Sequence, residues 1–440
     1  MKEKYGVREF LQFVIPSVAS MLVFSLYAII DGIFVAKGVG EYAVAAVNIS
    51  MPYSNIMFGV SVMLAVGTST ICSILIGRGQ LEKARKIATQ NTIVVAIIAI
   101  ILTILAQLFM DQLAYALGAS ADTKIYVIQY LRIISLFSIC YMVSYCFEVL
   151  IKADGHPRKG AVIVITCSIC NAFLDYLFIF VFKWGIQGAA FATGLAQLSS
   201  LTCFFLHFHG KKANIKPLYS KLDLKIYCKI IKLGIPDFLN EMSIGIMVLL
   251  YNRALLITTG TIGIVAFTVV SYAHQLIAML ATGVAQGMQP LVSYYYGKEN
   301  VHNYRGYYRM GLITAFIVCL TSYGICNLFP EQITSLILKK SSPSYLYTIT
   351  AIRKFTTIYL VLGINLISAA YFTATASAKK AITISLLRGC IFICLSTYIM
   401  TNYFGGDSVW YSAFISELSC LVITLALIIK NKHYLDNKVK

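Results

Sequence analysis

The sequence predicts an all-α polytopic membrane protein of about twelve transmembrane helices in two parallel six-helix lobes. Three observations carry that prediction. Apolar residues make up 59% of the 440 residues and charged residues only 12%, and the mean hydropathy of +0.78 is far above that of a soluble domain. The apolar residues gather in runs near the ~20 residues that a bilayer requires. The second half repeats the first at one fixed spacing. A membrane barrel would instead show period-two alternation in ~10-residue pieces, and that pattern is absent.

The expected spans are 10–36, 44–76, 87–110, 124–151, 160–182, 187–208, 229–258, 263–296, 308–329, 346–376, 381–402 and 408–430. The first reads LQFVIPSVASMLVFSLYAIIDGIFVAKG, a long apolar run with no small-residue cleavage site after a short core, so it is read as retained and not as a signal peptide. Pro16 removes one helix hydrogen bond there and marks a hinge. Tyr27 and Asp31 lie four apart and share one face. The fifth and sixth spans form a hairpin, CNAFLDYLFIFVFKWGIQGAAFATG from Cys170 to Gly194. Asn171 and Asp175 share one face of its first helix, and Thr193 lies on the returning one. A carboxylate at membrane depth costs roughly 2.5–3.5 kcal/mol on insertion scales, and functional residues are the usual ones to bear it. Counted from the ends of their spans, Asp31 and Asp175 fall at similar depth in the outer half of the bilayer. Two acids at one depth can share a proton or a cation.

The net charge of +18 is topological and not a nucleic-acid footprint. Most Lys and Arg fall in the tails and alternate loops, among them Arg78, Lys83, Arg85 and Lys86, then Lys152, Arg158 and Lys159, then the run from Lys211 to Lys232. The opposite loops hold few, such as Lys37, Lys124, Lys183, Lys339 and Lys340. This positive-inside bias puts both termini in the cytoplasm. Of twelve cysteines, Cys167 and Cys170 form a C-x-x-C inside a span, and Cys390 and Cys394 also fall within one. Small apolar packing explains them better than metal or redox chemistry.

A shift of 220 positions carries Ile15-Pro16 onto Ile235-Pro236, Gly40 onto Gly260, Gly67 onto Gly287, Gly77 onto Gly297, Arg85 onto Arg305, Lys159 onto Lys379 and Gly185 onto Gly405. No insertion is needed in that register. An even number of spans per repeat makes the halves parallel, with a pseudo-two-fold axis along the membrane normal. The expected organisation is an N-lobe over 1–208, a basic cytoplasmic linker over 209–228 and a C-lobe with a cytoplasmic tail over 229–440. Within the linker region, Leu222–Lys232 is amphipathic and is expected to lie on the inner membrane surface.

The carboxylate cluster is not repeated. Asp31 maps to Tyr251, Asn171 to Ile391, Asp175 to Leu395 and Thr193 to Ala413. The second half carries Asp237 and Glu241 one turn apart after Pro236, and Arg253 or His274 is a possible neutralising partner. Glu148, Arg388 and Glu417 are lone intramembrane charges of the kind that more often make interhelical contacts than sites. Glu417→Gln and Cys390→Ala are expected to cost far less than Asp175→Asn.

Over essentially its whole length the chain resembles the multidrug and toxic compound extrusion (MATE) family of secondary transporters. LYAIIDGIFVAKGVG resembles the first-span pattern of that family, NAFLDYLFIFVFKWGIQGAAFAT the fifth-to-sixth-span segment of its DinF-type branch, and GHPRKG the cytoplasmic loop before the fifth span. Glu241 is similar to the seventh-span acid of the NorM-type branch. The resemblance implies a cation-coupling site of Asp31, Asn171, Asp175 and Thr193 with Tyr27 and Pro16 nearby, and a coupling ion that is H⁺ or Na⁺ with no other cofactor or metal.

The expected function is antiport of amphipathic, often cationic organic compounds by a monomer in a bacterial cytoplasmic membrane. Candidate cavity walls are Tyr27, Met57, Met63, Tyr141, Met247, Met279 and Met288. A lipid-linked oligosaccharide flippase would want more intramembrane basic residues than Arg132, Arg253 and Arg388. An intramembrane enzyme would want H-E-x-x-H or a His–acid pair on a membrane face, and none of the six His makes one: His156, His207, His209, His302 and His433 fall at loops or span ends.

Overall fold

The computed structural model describes residues 6–439, and the first five residues of the expected N-lobe and Lys440 of the tail lie outside the described residues. The described residues are helical apart from the connections between helices, without a strand. In order the helices are α1 (Val7–Gly38), α2 (Glu41–Gly77), α3 (Leu81–Leu108), the short α4 (Met110–Ala116), α5 (Lys124–Leu136), α6 (Ser138–Ala153), α7 (Pro157–Asp175) and α8 (Gly185–His209). There follow α9 (Leu224–Thr258), α10 (Thr261–Gly297), α11 (Val301–Leu328), the short α12 (Pro330–Ser335), α13 (Tyr345–Phe355), α14 (Tyr359–Ala374), α15 (Ala378–Leu386), α16 (Phe392–Ile399) and α17 (Ser412–Val439). Eleven stretches are long and apolar enough to cross a membrane, and α5 with α6 makes a twelfth if the pair, bent by 53°, counts as one span.

α3 shows how composition sets packing. Ala84, Ala88, Asn91, Val95, Ala99 and Ala106 are buried at helical spacing, and small residues there let neighbouring helices approach closely. Ile97, Ile101, Ile104 and Leu108, on the opposite face, are about half or more exposed, as a lipid-facing stripe must be.

The 220-residue repeat governs element boundaries. α2 and α10 begin and end 220 residues apart, and so do α3 and α11. The break at Phe137 between α5 and α6 has its counterpart in the 3₁₀ turn Thr356–Ile358 between α13 and α14. The turn before α2 needs a left-handed backbone at Gly40 (φ 115°), and the turn before α10 needs one at Gly260 (φ 67°). Glycine meets that demand without Cβ strain.

The chain divides into two compact units. One, called here the N-unit, comprises Val7–Gly234 with Ser293–Asn300; the other, the C-unit, is built from Ile235–Val292 and the chain from Val301 onward. In the N-unit, a Cβ on Gly67 of α2 would strike the backbone carbonyl of Ile230, and one on Gly234 would strike that of Met63. α2 and the start of α9 therefore pass backbone against backbone. That contact corrects one expectation: Leu222–Lys232 is no separate surface helix, because a single helix runs from Leu224 to Thr258. Only residues 210–223 between α8 and α9 are non-helical.

Candidate functional site

The polar groups of the first, fifth and sixth spans meet inside the N-unit. α1 packs along α7 and also touches α8, which brings together three segments distant in sequence. Asp175 is fully buried and Asp31 half-buried. Their carboxyls lie within hydrogen-bonding reach of each other. Asn171, its amide oriented by its partners, donates to Asp175 Oδ2 at 3.0 Å and accepts from the backbone N–H of Thr193 at 3.2 Å. Tyr27 reaches the Thr193 hydroxyl and faces Asp31. Among the described residues Asp31 Oδ1 and Asp175 Oδ1 have no hydrogen-bond partner. Two facing carboxylates cannot both stay ionised with nothing between them, so such a pair holds a shared proton or a cation.

Local structure positions the pair. α7 changes at Asp175 into a π-helical stretch, Tyr176–Val181, a device that often marks functional positions. Beside Thr193, Gly194 has no room for a Cβ, which would collide with the Phe137 ring at the α5–α6 bend. Tyr130 of α5 is a member that the sequence reading missed: it is buried and close enough to interact with both Asp31 and Asp175. A Tyr among 29 on a helix without acids gives no signal of its own. Pro16 sits half-buried within α1, and one turn on, Ser20 Oγ donates to the Pro16 carbonyl at 3.0 Å.

A narrow cleft opens beside this site, lined among others by Phe24, Tyr27, Tyr141, Ser144, Glu148 and Asn171. The C-unit has its own cleft, lined by Glu241, Met247, His274, Met279, Arg388 and Glu417 among others. Tyr27, Tyr141, Met247 and Met279 are thus wall residues as expected. Met57 and Met288 are not, since both are packed into the cores, and Met63 lies against Gly234.

Asp237 and Glu241 share a half-buried face of α9. Among the described residues neither Arg253 nor His274 pairs with them: Arg253 is exposed, and His274 stacks on Tyr359 with an unpartnered Nδ1. Arg388 and Glu417 instead pair with each other, Nη2 to Oε1 at 2.7 Å and Nε to Oε1 at 2.9 Å. Asn365 Nδ2 donates to Glu417 Oε2 at 2.7 Å, and Arg388 Nη1 to Asn240 Oδ1 at 3.2 Å. Glu241 is therefore the carboxylate of that cleft with no ion-pair partner among the described residues. All twelve cysteines are free thiols.

His–acid pairs form where α6 ends: His156 Nδ1 and His207 Nε2 each lie 3.0 Å from Asp154 Oδ2. Fifty-odd positions separate His207 from Asp154, so spacing could not reveal the contact. These three residues have metal-ligand proximity, yet they read as a hydrogen-bond hub. Lys159 Nζ lies 3.0 Å from His207 Nδ1, and an ammonium can only donate there, which leaves the proton on Nε2 to donate to Asp154. Asp154 Oδ1 accepts from the backbone N–H groups of Asn214 and Ile215 at 2.8 and 2.6 Å.

A chain of two helical units, one of which brings two carboxylates of its membrane spans together, has the architecture common among secondary transporters. Residues 16–177 match the MatE family model. The chain is 22% identical to a multidrug export protein MepA of Staphylococcus saprophyticus and 23% identical to one of Staphylococcus aureus strain bovine RF122, each alignment covering 95% of this chain and 92% of the relative. A solved structure described as the outward-facing conformation of a multidrug resistance MATE transporter of the MOP superfamily matches with a TM-score of 0.92 at 22% identity, covering 98% of this chain and 96% of that one. A MOP-superfamily transporter from Pyrococcus furiosus, described as having a binding pocket of reversed polarity, matches at 0.89 and 22%, covering 96% and 95%. The fold of the chain is thus that of the solved MATE transporter structures, and residues 16–177 resemble the MatE family.

Proposed function

We propose that this protein exports amphipathic, often cationic organic compounds in antiport with H⁺ or Na⁺, by alternating access across a bacterial cytoplasmic membrane. The single observation that carries the coupling half of this reading is the Asp31–Asp175 pair, with Asn171, Thr193 and Tyr27 around it and an unpartnered oxygen on each acid. The resemblance to the MatE family and the multidrug-export names of the relatives support the cargo class. In this reading the pair binds the ion, Pro16 lets α1 bend as the charge state changes, and the coupling is reciprocal: cargo weakens ion binding by the factor that the ion weakens cargo binding. Glu241, with Asp237 beside it, gives the C-lobe cleft a carboxylate for an organic cation. The lobes are 1–208 and 229–440, joined by the cytoplasmic linker 209–228, with both termini cytoplasmic, a monomer as the working unit and no enzymatic step. The branch with the nearer pattern is the DinF type.

A lipid-linked oligosaccharide flippase is disfavoured by charge. Arg388 is neutralised by Glu417, while Arg132 and Arg253 are exposed on their helices and line neither cleft. The deciding experiment is dye efflux from everted vesicles, energised first by ΔpH alone and then by a Na⁺ gradient alone. Efflux under one of the two is the expected result, and efflux under neither rejects the antiport.

A further inference from the structure

Three helices of the N-unit turn polar side chains into the same cleft at helical spacing. α7 contributes Asn171 and, one turn earlier, Ser168; α8 contributes Gln197 and Ser200, one and two turns beyond Thr193; α6 contributes Tyr141, Ser144 and Glu148. Lys152 follows Glu148 by one more turn, with its ammonium 3.5 Å from Glu148 Oε1. The upper end of this ladder is Asn171, bonded to Asp175 Oδ2 at 3.0 Å. Midway, Ser144 Oγ donates to Gln197 Oε1 at 3.0 Å, joining α6 to α8. The lower end lies where α6 stops, at Ala153. From Tyr141 to Lys152 the rise is ~16 Å, about half of a bilayer core.

The lower end is chemically odd for a merely structural pair. Glu148 and Lys152 are 8% and 2% exposed, so both ions are taken out of water. Yet their contact is long, and Glu148 Oε1 has no hydrogen bond, as is also true of Asp31 Oδ1 and Asp175 Oδ1. A carboxylate held loosely by its counter-ion, facing a cleft, can exchange that counter-ion for another cation.

We propose that this ladder is the inward exit of the coupling ion from the Asp31–Asp175 site, with Glu148 as the intermediate carboxylate and Lys152 as a tethered cation that displaces the ion into the cytoplasm. The inference rests on the coupling role assigned to the pair above. The ion passes from Asp175 past Asn171 and the Ser144–Gln197 bridge to Glu148 Oε1. There it competes with the Lys152 ammonium. When it leaves, Lys152 restores charge balance, so Glu148 is never left as an uncompensated buried anion, a state that is strongly unfavourable. Glu148 thus acts on the rate of ion release, whereas Asp31 and Asp175 set ion affinity.

The test compares two readouts on purified full-length protein. One is equilibrium displacement of bound ethidium by the coupling ion in detergent; the other is gradient-driven ethidium transport in proteoliposomes. Glu148→Gln is expected to keep the displacement midpoint within about threefold of wild type while transport falls at least about tenfold. Lys152→Gln is expected to slow transport at least about fivefold and likewise to keep the midpoint within about threefold of wild type, because the competition it removes is at Glu148 and not at the Asp31–Asp175 site. Transport at the wild-type rate in either variant overturns the exit route. Loss of displacement in Glu148→Gln also overturns it, by making Glu148 part of the binding site itself. If Glu148→Gln does not fold, as judged by size-exclusion chromatography, Lys152→Gln decides alone. Failure of the underlying coupling reading looks different: the wild type shows no ion displacement, or Asp175→Asn retains it.

Discussion

At Asp175 a single oxygen-to-nitrogen change separates shape from charge. Asp175→Asn keeps the side-chain volume and can still bond Asn171, but it removes the ionisable group to which the proposed coupling assigns a proton or cation. Efflux is therefore expected to disappear while purified protein elutes and melts like wild type; an equal loss of folding would move Asp175 from site to scaffold. Asp31→Asn is expected to flatten the dependence of dye affinity on the coupling ion, measured as dye binding from pH 5.5 to 8.5 and across a Na⁺ series. Glu417 now belongs to a different class from the one its isolation in sequence suggested. It is pinned by Arg388 and Asn365 at 2.7 Å each, and breaking a buried ion pair from one side costs about 3–5 kcal/mol. Glu417→Gln is thus expected to lower the thermal midpoint in detergent markedly, and pairing it with Arg388→Met should recover most of the loss.

At the scale of elements, α1 and α2 show opposite uses of a helix. α1 carries an interior proline, and Pro16→Ala would restore a backbone donor and remove a clash worth roughly 3 kcal/mol in a helix interior. The expected outcome is a higher melting temperature with efflux slowed severalfold, because a stiffer α1 shifts less readily against α7 and α8. A variant that is more stable and pumps as fast removes the hinge from the mechanism. α2 is fixed by close packing. Gly67→Ala would push a methyl into the Ile230 carbonyl, and overpacking against backbone costs about 1–3 kcal/mol. Reduced stability without change in the ion dependence of the remaining folded fraction is the expected result.

For the whole molecule, the charge pattern and the repeat make one joint statement about topology. Single cysteines at Lys83 and Lys212 are expected to react with an impermeant maleimide only from the cytoplasmic side, and those at Lys124 and Lys340 only from outside. Labelling from the opposite sides would invert the assignment. The repeat also explains why the chain keeps two clefts with different chemistry. α2 and α10 share bounds in register, so the scaffold is duplicated, while the acids are not: Asp31 stands opposite Tyr251 and Asp175 opposite Leu395 in that register. One half retains a carboxylate pair and the other a compensated Arg388–Glu417 pair with Glu241 beside it.

The sequence by itself determined the span positions, the repeat and which acids stand out at membrane depth, because lipid imposes a one-dimensional rule. Apolar runs of fixed length are costly to interrupt, so Asp31 and Asp175 stand out against their neighbours, and Pro16 and Pro236 keep a fixed register. What needed the tertiary structure is every feature decided by contact between helices. Tyr130 joins the carboxyl pair only because α5 lies against α8, and the bend at Phe137 is legible only once Gly194 is seen against its ring. Asp154 finds His207 through a packing of α6 on α8 that no spacing encodes. Leu222–Lys232 looked like a surface helix because amphipathicity reports which faces differ, not where the helix stops. Gly234 against the Met63 carbonyl settles that question, since a backbone contact of two helices is invisible in either one alone.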